Sequence, residues 1–176
     1  MAIKYKYYNN YYDYRSRREY YERMVFPNSV SLFSEIWRLG KNAIPIDVPV
    51  VFRGLHFGDS PKIVSQNMGE PRFVLENQGI SSMTFFYKEK INSHRVTIQV
   101  HFLEEKFFCA CYTFRYENGA ERMGIKKMLF EKYTSMKQDA FETHNHLIDP
   151  ESNSISVFEM VNFNILYLCG NDKVRK

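Results

Sequence analysis

The clearest metal-binding pattern in this chain is the pair His144 and His146, with Glu142 and Asp149 nearby. Two imidazoles at this spacing share one face of a strand, and with a carboxylate they can bind Zn²⁺ or Ni²⁺. The surrounding segment is polar, however, and the sequence contains no second cluster of ligands at metal-binding spacing. We therefore interpret His144 and His146 as surface residues of a loop and retain a metal site only as the alternative hypothesis.

A second candidate motif is Cys109-Ala110-Cys111, which lies in a segment with strand periodicity. Both thiols of such a pair point to the same side of a strand. Redox pairs usually have the spacing Cys-x-x-Cys at a helix N-terminus, where the helix dipole lowers a thiol pKa. Neither condition holds here, so we expect buried, unreactive thiols. With Cys169 the cysteines are odd in number, and the polar first 25 residues lack a signal-peptide core, which favours a cytoplasmic protein.

The block Gly58-Asp59-Ser60 is superficially similar to the nucleophile block of a Gly-Asp-Ser hydrolase. That chemistry needs an Asp-x-x-His pair toward the C-terminus, which this sequence lacks. Pro61 directly follows the serine, and proline in the first turn is typical of a helix start. We therefore predict that Asp59 or Ser60 caps a helix. The sequence shows no cofactor fingerprint, so we expect no cofactor and favour a binding protein over an enzyme.

Polar side chains follow one face of two neighbouring predicted strands. They are Arg95, Gln99 and His101 on the first strand and Thr113 and Arg115 on the second. Such residues can line a concave surface that holds a small ligand. The alternative is an ordinary solvated face of an antiparallel sheet.

The first 27 residues form an arm that is rich in tyrosine and arginine. Its candidate partner-binding residues are Tyr11, Tyr12, Tyr14, Arg17, Arg18 and Tyr21. Tyr and Arg are common at protein interfaces, so the arm can bind another protein, or it can pack on its own fold or on a second subunit. Stacking on nucleic acid is a third hypothesis. Residues 1–23, with six basic and three acidic side chains, carry most of the chain's net charge of +4. The rest of the chain is nearly neutral, which disfavours the nucleic-acid hypothesis.

Periodicity predicts the elements that position these residues. Helices are expected over 28–40, with Trp37 on the apolar stripe, over 59–69 and over 121–136, and residues 41–57 are expected to be extended. Four strands are expected within 72–116, with Val96, Ile98, Val100 and Phe102 on one face, and two more over 155–169. The last helix should bury Ile125, Met128, Leu129, Tyr133 and the stem of Lys132.

This order, together with an aromatic fraction of 16%, predicts an α+β fold. We expect an antiparallel meander sheet of about four to six strands, packed on one face by two or three helices. The expected organisation is an arm over 1–27, a single domain over 28–170 and a frayed tail over 171–176. A degenerate tandem repeat, 55–116 and 121–169, is an alternative division. No apolar run is long enough for a membrane span.

The stretch from Leu55 to Pro71 resembles the opening of small bacterial modules related to the β-lactamase-inhibitor protein and to the SmpA/OmlA assembly lipoproteins. There a glycine introduces a capped helix that ends in Leu/Met-Gly-x-Pro before an antiparallel meander, as Met68-Gly69-Glu70-Pro71 does here. The resemblance covers about 55–116 and implies a bacterial, non-catalytic module that binds proteins.

From the sequence we therefore expect a non-enzymatic cytoplasmic module that acts through contacts with a protein partner or a second copy of itself. A small-ligand-binding protein or small enzyme that uses the polar sheet face is the first alternative. Nucleic-acid binding through the arm is the second.

Overall fold

The computed structural model describes residues 16–25, 43–77, 79, 81–115, 117–134, 145–159 and 162–170. Within these residues the chain forms three helices, α1 (Arg17–Met24), α2 (Pro61–Met68) and α3 (Gly119–Tyr133). It also forms eight strands: β1 (Ile44–Pro45), β2 (Phe73–Asn77), β3 (Ser82–Ile91), β4 (His94–Leu103), β5 (Lys106–Phe114), β6 (His146–Ile148), β7 (Ser154–Glu159) and β8 (Phe163–Leu168). No helix of this described part is both long and apolar enough to cross a membrane.

All eight strands belong to one sheet, in the order β1-β6-β7-β8-β5-β4-β3-β2. Every neighbouring pair is antiparallel except β1 and β6, which are parallel. The α+β class and a mostly antiparallel sheet are confirmed, but the sheet is larger than the predicted four to six strands and is not strictly antiparallel. The two strands that the sequence did not indicate, β1 and β6, have two and three residues, too few to show a period of two.

The predicted meander β2 to β5 is confirmed, and its hairpins are tight. The β3–β4 turn has Asn92 at φ 49°, and the β4–β5 turn has Glu104 and Glu105 at φ 50° and 60°. In the β4–β5 turn both central residues have positive φ, which matches the right-handed twist of paired strands. The C-terminal hairpin then joins the meander, because β8 pairs with β5 over Cys109–Phe114.

The helix caps explain where α2 and α3 begin and end. Ser60 accepts a hydrogen bond at Oγ from the Ile63 amide, and α2 ends at Gly69, whose φ is 79°. This confirms the predicted capping role of Ser60. Asn118 and Glu121 form a capping box at the start of α3, in which each side chain accepts from the other residue's amide.

The inward face of α3 differs from the predicted one. Ile125, Leu129 and Tyr133 are buried as expected, but Met128 is 54% exposed and Lys132 is also exposed. Lys126 and Phe130 are buried in their place. The predicted stripe continued through Met128 and Lys132. Positions 126 and 130 flank the line of Ile125, Leu129 and Tyr133 on its other side, so the buried stripe is rotated round the helix from the predicted one.

The apolar core lies on the first face of the sheet. The alternate residues Val96, Ile98, Val100 and Phe102 of β4 are all buried there, as predicted, together with α3 and Val64 of α2. The segment between β1 and α2 closes this core with Phe52 and Leu55, both fully buried. The residues between these positions along β4 define the opposite side, which we term the second face.

Several predictions fall on residues outside the described part of the chain. They are the helix with Trp37, the partner candidates Tyr11, Tyr12 and Tyr14, the metal candidate His144, and the tail 171–176. Within the described residues, the two copies considered as a repeat contribute strands to the same sheet.

Candidate functional site

Helix α1 lies on the second face, over β2, β3 and β4. Ser16 caps it by accepting the Glu19 amide at Oγ. Its Tyr21 ring, 2% exposed, stacks on Phe73 with centroids 4.3 Å apart and lies 4.7 Å from the Phe86 centroid. These three rings form a small apolar cluster separate from the main core.

Two arginines fix the start of α1 to the edge strand of the sheet. Nη2 of Arg17 donates to the carbonyl oxygen of Arg72 at 2.6 Å, and Nη2 of Arg18 donates to that of Glu76 at 3.2 Å. The Arg17 guanidinium also lies 5.5 Å from the centre of the Phe73 ring. Of the six candidate partner-binding residues, the three that the structure describes, Arg17, Arg18 and Tyr21, therefore all contact the chain's own fold.

The end of α1 meets the residues predicted to bind a ligand. Nε2 of Gln99 donates to the Met24 carbonyl oxygen at 2.9 Å. Nη2 of Arg115 lies 3.3 Å from the Met24 sulfur. Lys88 reaches the same helix, with its Nζ 3.4 Å from the Tyr20 hydroxyl and 5.1 Å from the centre of that ring.

The centre of the second face is polar but buried. Gln99, His101 and Thr113 are between 1% and 6% exposed, so an ordinary solvated face does not describe them. Nδ1 of His101 and Oγ1 of Thr84 lie 3.1 Å apart, within hydrogen-bond distance. Buried polar groups that are hydrogen-bonded in this way fix the register of a sheet and the position of what packs on it.

The exposed end of the second face carries a row of cations. Lys90 of β3 is the register partner of Arg95 of β4. In the β4–β5 register Thr97 faces Thr113 and Val96 faces Phe114, so Arg115 lies opposite Arg95 at the next position. We term Lys90, Arg95 and Arg115 the basic row.

The basic row has no acidic partner in the described part of the chain. None of its three side chains forms an ion pair there. Lys90 and Arg95 are exposed, and Arg115 is half-buried. The Nε atom of Arg115 is buried and has no hydrogen-bond partner among the described residues. Within the described part of the chain, the guanidinium of Arg115 contacts the thioether of Met24, which is a weak acceptor.

Sequence analysis identified Arg95 and Arg115 but missed Lys90, Lys88, Tyr20 and Met24 as members of this site. Lys88 and Lys90 follow Phe86 at alternate positions of β3, so strand periodicity alone placed them on one face. Which face that was depended on the β3–β4 register, which periodicity does not give. The sequence permits a helix from Tyr14 to Met24, with Tyr14, Arg18 and Tyr21 on one stripe, and α1 lies within that range. It gives no signal, however, for the surface on which this helix docks.

The cysteines of the second face are buried. Cys109 and Cys111 both pack against Phe158 and Leu166. Burial raises the pKa of the Cys111 thiol to about 12 and that of Cys109 well above its usual value. Cys169 is buried as well, and all three are free thiols. The expectation of buried thiols is confirmed, and their low reactivity stays a prediction.

The metal hypothesis finds no further support among the described residues, which contain no group of three His, Cys, Asp or Glu placed to hold an ion. His146 is buried in β6, so its interpretation as a surface loop residue is wrong. The reason is that its ring packs inside the sheet, with Nδ1 2.7 Å from Oγ of Ser156. Burial lowers the pKa of His146, which favours the neutral ring.

Asp149 is also occupied by structural contacts. Its two carboxylate oxygens accept hydrogen bonds from the amides of Val50, Glu151 and Asn153 and from the Asn153 side chain, at 2.8 to 3.0 Å. A carboxylate with this set of donors holds a turn and the segment beside it.

An open groove of about 500 Å³ lies elsewhere, beside the β4–β5 turn. Its lining includes Glu76, Glu104 and Glu105. None of the five residues predicted to bind a ligand lines it. Of the five predicted ligand residues, Gln99 and Arg115 contact Met24 of α1, and Arg95 and Arg115 belong to the basic row. Comparison with known protein families, with curated proteins and with solved structures finds no match to this chain.

Proposed function

We propose that this protein is a non-enzymatic binding module that binds an acidic segment of a partner protein at the basic row. The observation that carries the proposal is the juxtaposition of Lys90, Arg95 and Arg115 across three adjacent strands without an acidic partner among the described residues.

This arrangement costs the folded protein stability. Like charges directly opposite one another on neighbouring strands repel. Because neighbouring strands are about 4.8 Å apart, the three cations start within about 10 Å of one another along the row. An anionic ligand relieves this repulsion.

The chemistry of the row favours carboxylates on a peptide. A guanidinium binds a carboxylate through two parallel hydrogen bonds, and Arg95 and Arg115 provide two guanidinium groups side by side. An extended peptide places alternate side chains about 7 Å apart on one side, which matches the scale of the row.

Single-stranded nucleic acid fits this surface less well. Proteins that bind single strands use exposed aromatic rings on which the bases stack. The described tyrosines of α1, Tyr20 and Tyr21, are 8% and 2% exposed and pack in the cluster with Phe86 and Phe73. We therefore propose a protein partner.

The non-catalytic and cytoplasmic parts of the proposal have their own support. Ser60 caps α2, Asp149 holds a turn, and the thiols of Cys109 and Cys111 are buried with raised pKa values. All three cysteines are free, which is typical of a reducing compartment.

The test is fluorescence anisotropy with a labelled peptide that carries glutamate at alternate positions. We expect salt-sensitive binding that weakens by about tenfold or more in Lys90→Glu/Arg95→Glu, since two ion pairs become repulsive. Lys62→Glu/Lys132→Glu makes the same charge change at exposed positions of α2 and α3 and should leave the affinity within about twofold. Equal loss in both variants, or tighter binding of a single-stranded oligonucleotide than of the peptide, would refute the proposal.

A further inference from the structure

We infer that α1 and the acidic segment of the partner compete for Arg115, with Met24 as the internal occupant of the partner's site. This inference rests on the proposed function, because it concerns the regulation of the same basic row. The inference is based on a different observation from that of the proposed function, namely the contact between the Arg115 guanidinium and Met24, the last residue of α1.

In this contact the charged guanidinium of Arg115 meets a poor hydrogen-bond acceptor, the thioether of Met24. Nη2 of Arg115 lies 3.3 Å from the Met24 sulfur, while its Nε is buried without a partner in the described residues. A thioether accepts hydrogen bonds weakly, whereas a carboxylate forms short, charge-assisted bonds with a guanidinium. A carboxylate from the partner therefore replaces the sulfur at a gain in hydrogen bonding.

Helix α1 is suited to give way. It has eight residues, and isolated helices of fewer than about 12 residues are marginal in water, so its docking depends on contacts with the sheet. At its C-terminal end the Met24 carbonyl accepts a hydrogen bond from Gln99 and the Met24 sulfur contacts Arg115, while Met24 and Val25 also pack against the cluster of Tyr20, Tyr21 and Phe86. The stacked Tyr21 lies one turn away toward the N-terminus, so the Met24 side chain can leave Arg115 while the Tyr21 stack stays in place.

Variants at position 24 separate competition from a passive contact. Met24→Glu supplies an internal carboxylate of similar length, which pairs with Arg115 and should weaken binding of the glutamate peptide by about tenfold. Met24→Leu keeps an apolar side chain but removes the sulfur acceptor, and should strengthen binding by about threefold. Met123→Glu and Met123→Leu make the same changes at a 42% exposed position of α3 and serve as matched controls.

A second readout follows α1 itself. Hydrogen exchange at the amides of α1 should accelerate when the peptide is added to the wild-type protein, and should not respond in Lys90→Glu/Arg95→Glu. If Met24→Glu does not fold, Met24→Leu and the exchange measurement still decide the matter.

The possible failures are distinct. If the wild-type protein does not bind the peptide, the proposed function is wrong and the competition with it. The proposed function stands if the wild-type protein binds the peptide and Lys90→Glu/Arg95→Glu does not. The competition is nevertheless overturned if the position 24 variants then bind like their Met123 controls and hydrogen exchange in α1 is unchanged.

Discussion

The ring of Tyr21 lies almost parallel to that of Phe73, with an interplanar angle of 8° and a centroid separation of 4.3 Å. Fifty-two residues separate the two rings in the chain, and between them they attach the N-terminal helix to the edge strand of the sheet. This stack holds α1 against the second face of the sheet, where Met24 of the same helix contacts Arg115 of the basic row.

Replacing Tyr21 by Ala should therefore release α1 without unfolding the sheet. Truncating a buried aromatic ring costs about 3–5 kcal/mol, and the helix can avoid that cost by undocking locally. We expect trypsin to cleave faster after Arg17, Arg18 and Arg23 in Tyr21→Ala than in the wild type. Tyr21→Phe keeps the ring and should resemble the wild type; equal cleavage of all three proteins would show that the stack does not hold α1.

Asp149 is predicted to stabilise the turn before β7 more than its single negative charge suggests. Asp149→Ala leaves several buried donors without an acceptor, and we expect it to lower the free energy of unfolding by about 3 kcal/mol. Asp149→Asn keeps one acceptor oxygen and should cost about half as much. Urea unfolding measures both. Asp47→Ala removes an exposed carboxylate and should change stability by less than about 0.5 kcal/mol; a comparable loss there would contradict the assignment.

Gly170 and Gly124 should respond in opposite directions to the same substitution. A Cβ at Gly170 would lie 2.7 Å from the backbone carbon of Ser152, so Gly170→Ala must displace the main chain and should cost about 2 kcal/mol or more. A Cβ at Gly124, within α3, would meet nothing within 4 Å. Gly124→Ala should therefore raise stability by about 0.5–1 kcal/mol. Thermal unfolding of both variants tests this prediction. A shift of the unfolding midpoint in the same direction in both variants would contradict it.

His146 should make stability fall in mild acid. Its pKa in the folded protein is lowered below the usual 6.5 by burial, so the unfolded chain binds more protons below that pH. Its contribution is complete above pH 6.5 and is lost as the pH falls from there toward the lowered folded-state pKa. His146→Gln cannot titrate, and its urea midpoint should change less than that of the wild type between pH 7.5 and about 5. If the urea midpoints of the wild type and His146→Gln change equally with pH, this role for His146 is ruled out.

Periodicity predicted the first face of β4 because alternation over Val96, Ile98, Val100 and Phe102 is a local property of the chain. It also predicted the start of α2, since Ser60 and Pro61 act on the adjacent turn. Local patterns could not predict β1 and β6, which exist only through pairing with each other and, for β6, with β7.

In the candidate site, too, local patterns predicted some features and missed those that depend on contacts between distant parts of the chain. Arg95 and Arg115 were recognisable as members of one face, but their lateral alignment with Lys90 depends on the register of two hairpins. The role of Met24 depends on a contact across 91 residues of sequence. Burial of Gln99, His101 and Thr113 was missed because alternation distinguishes the two faces of a strand without showing whether the polar face is covered.

A charge exchange across the interface tests the central claim most directly. The account predicts that Lys90→Glu/Arg95→Glu loses affinity for the glutamate peptide and gains affinity for a peptide with lysine at the same positions, while the wild-type protein shows the reverse preference. A variant that binds neither peptide, or a wild-type protein that binds both equally, would contradict the claim that these cations bind an acidic partner.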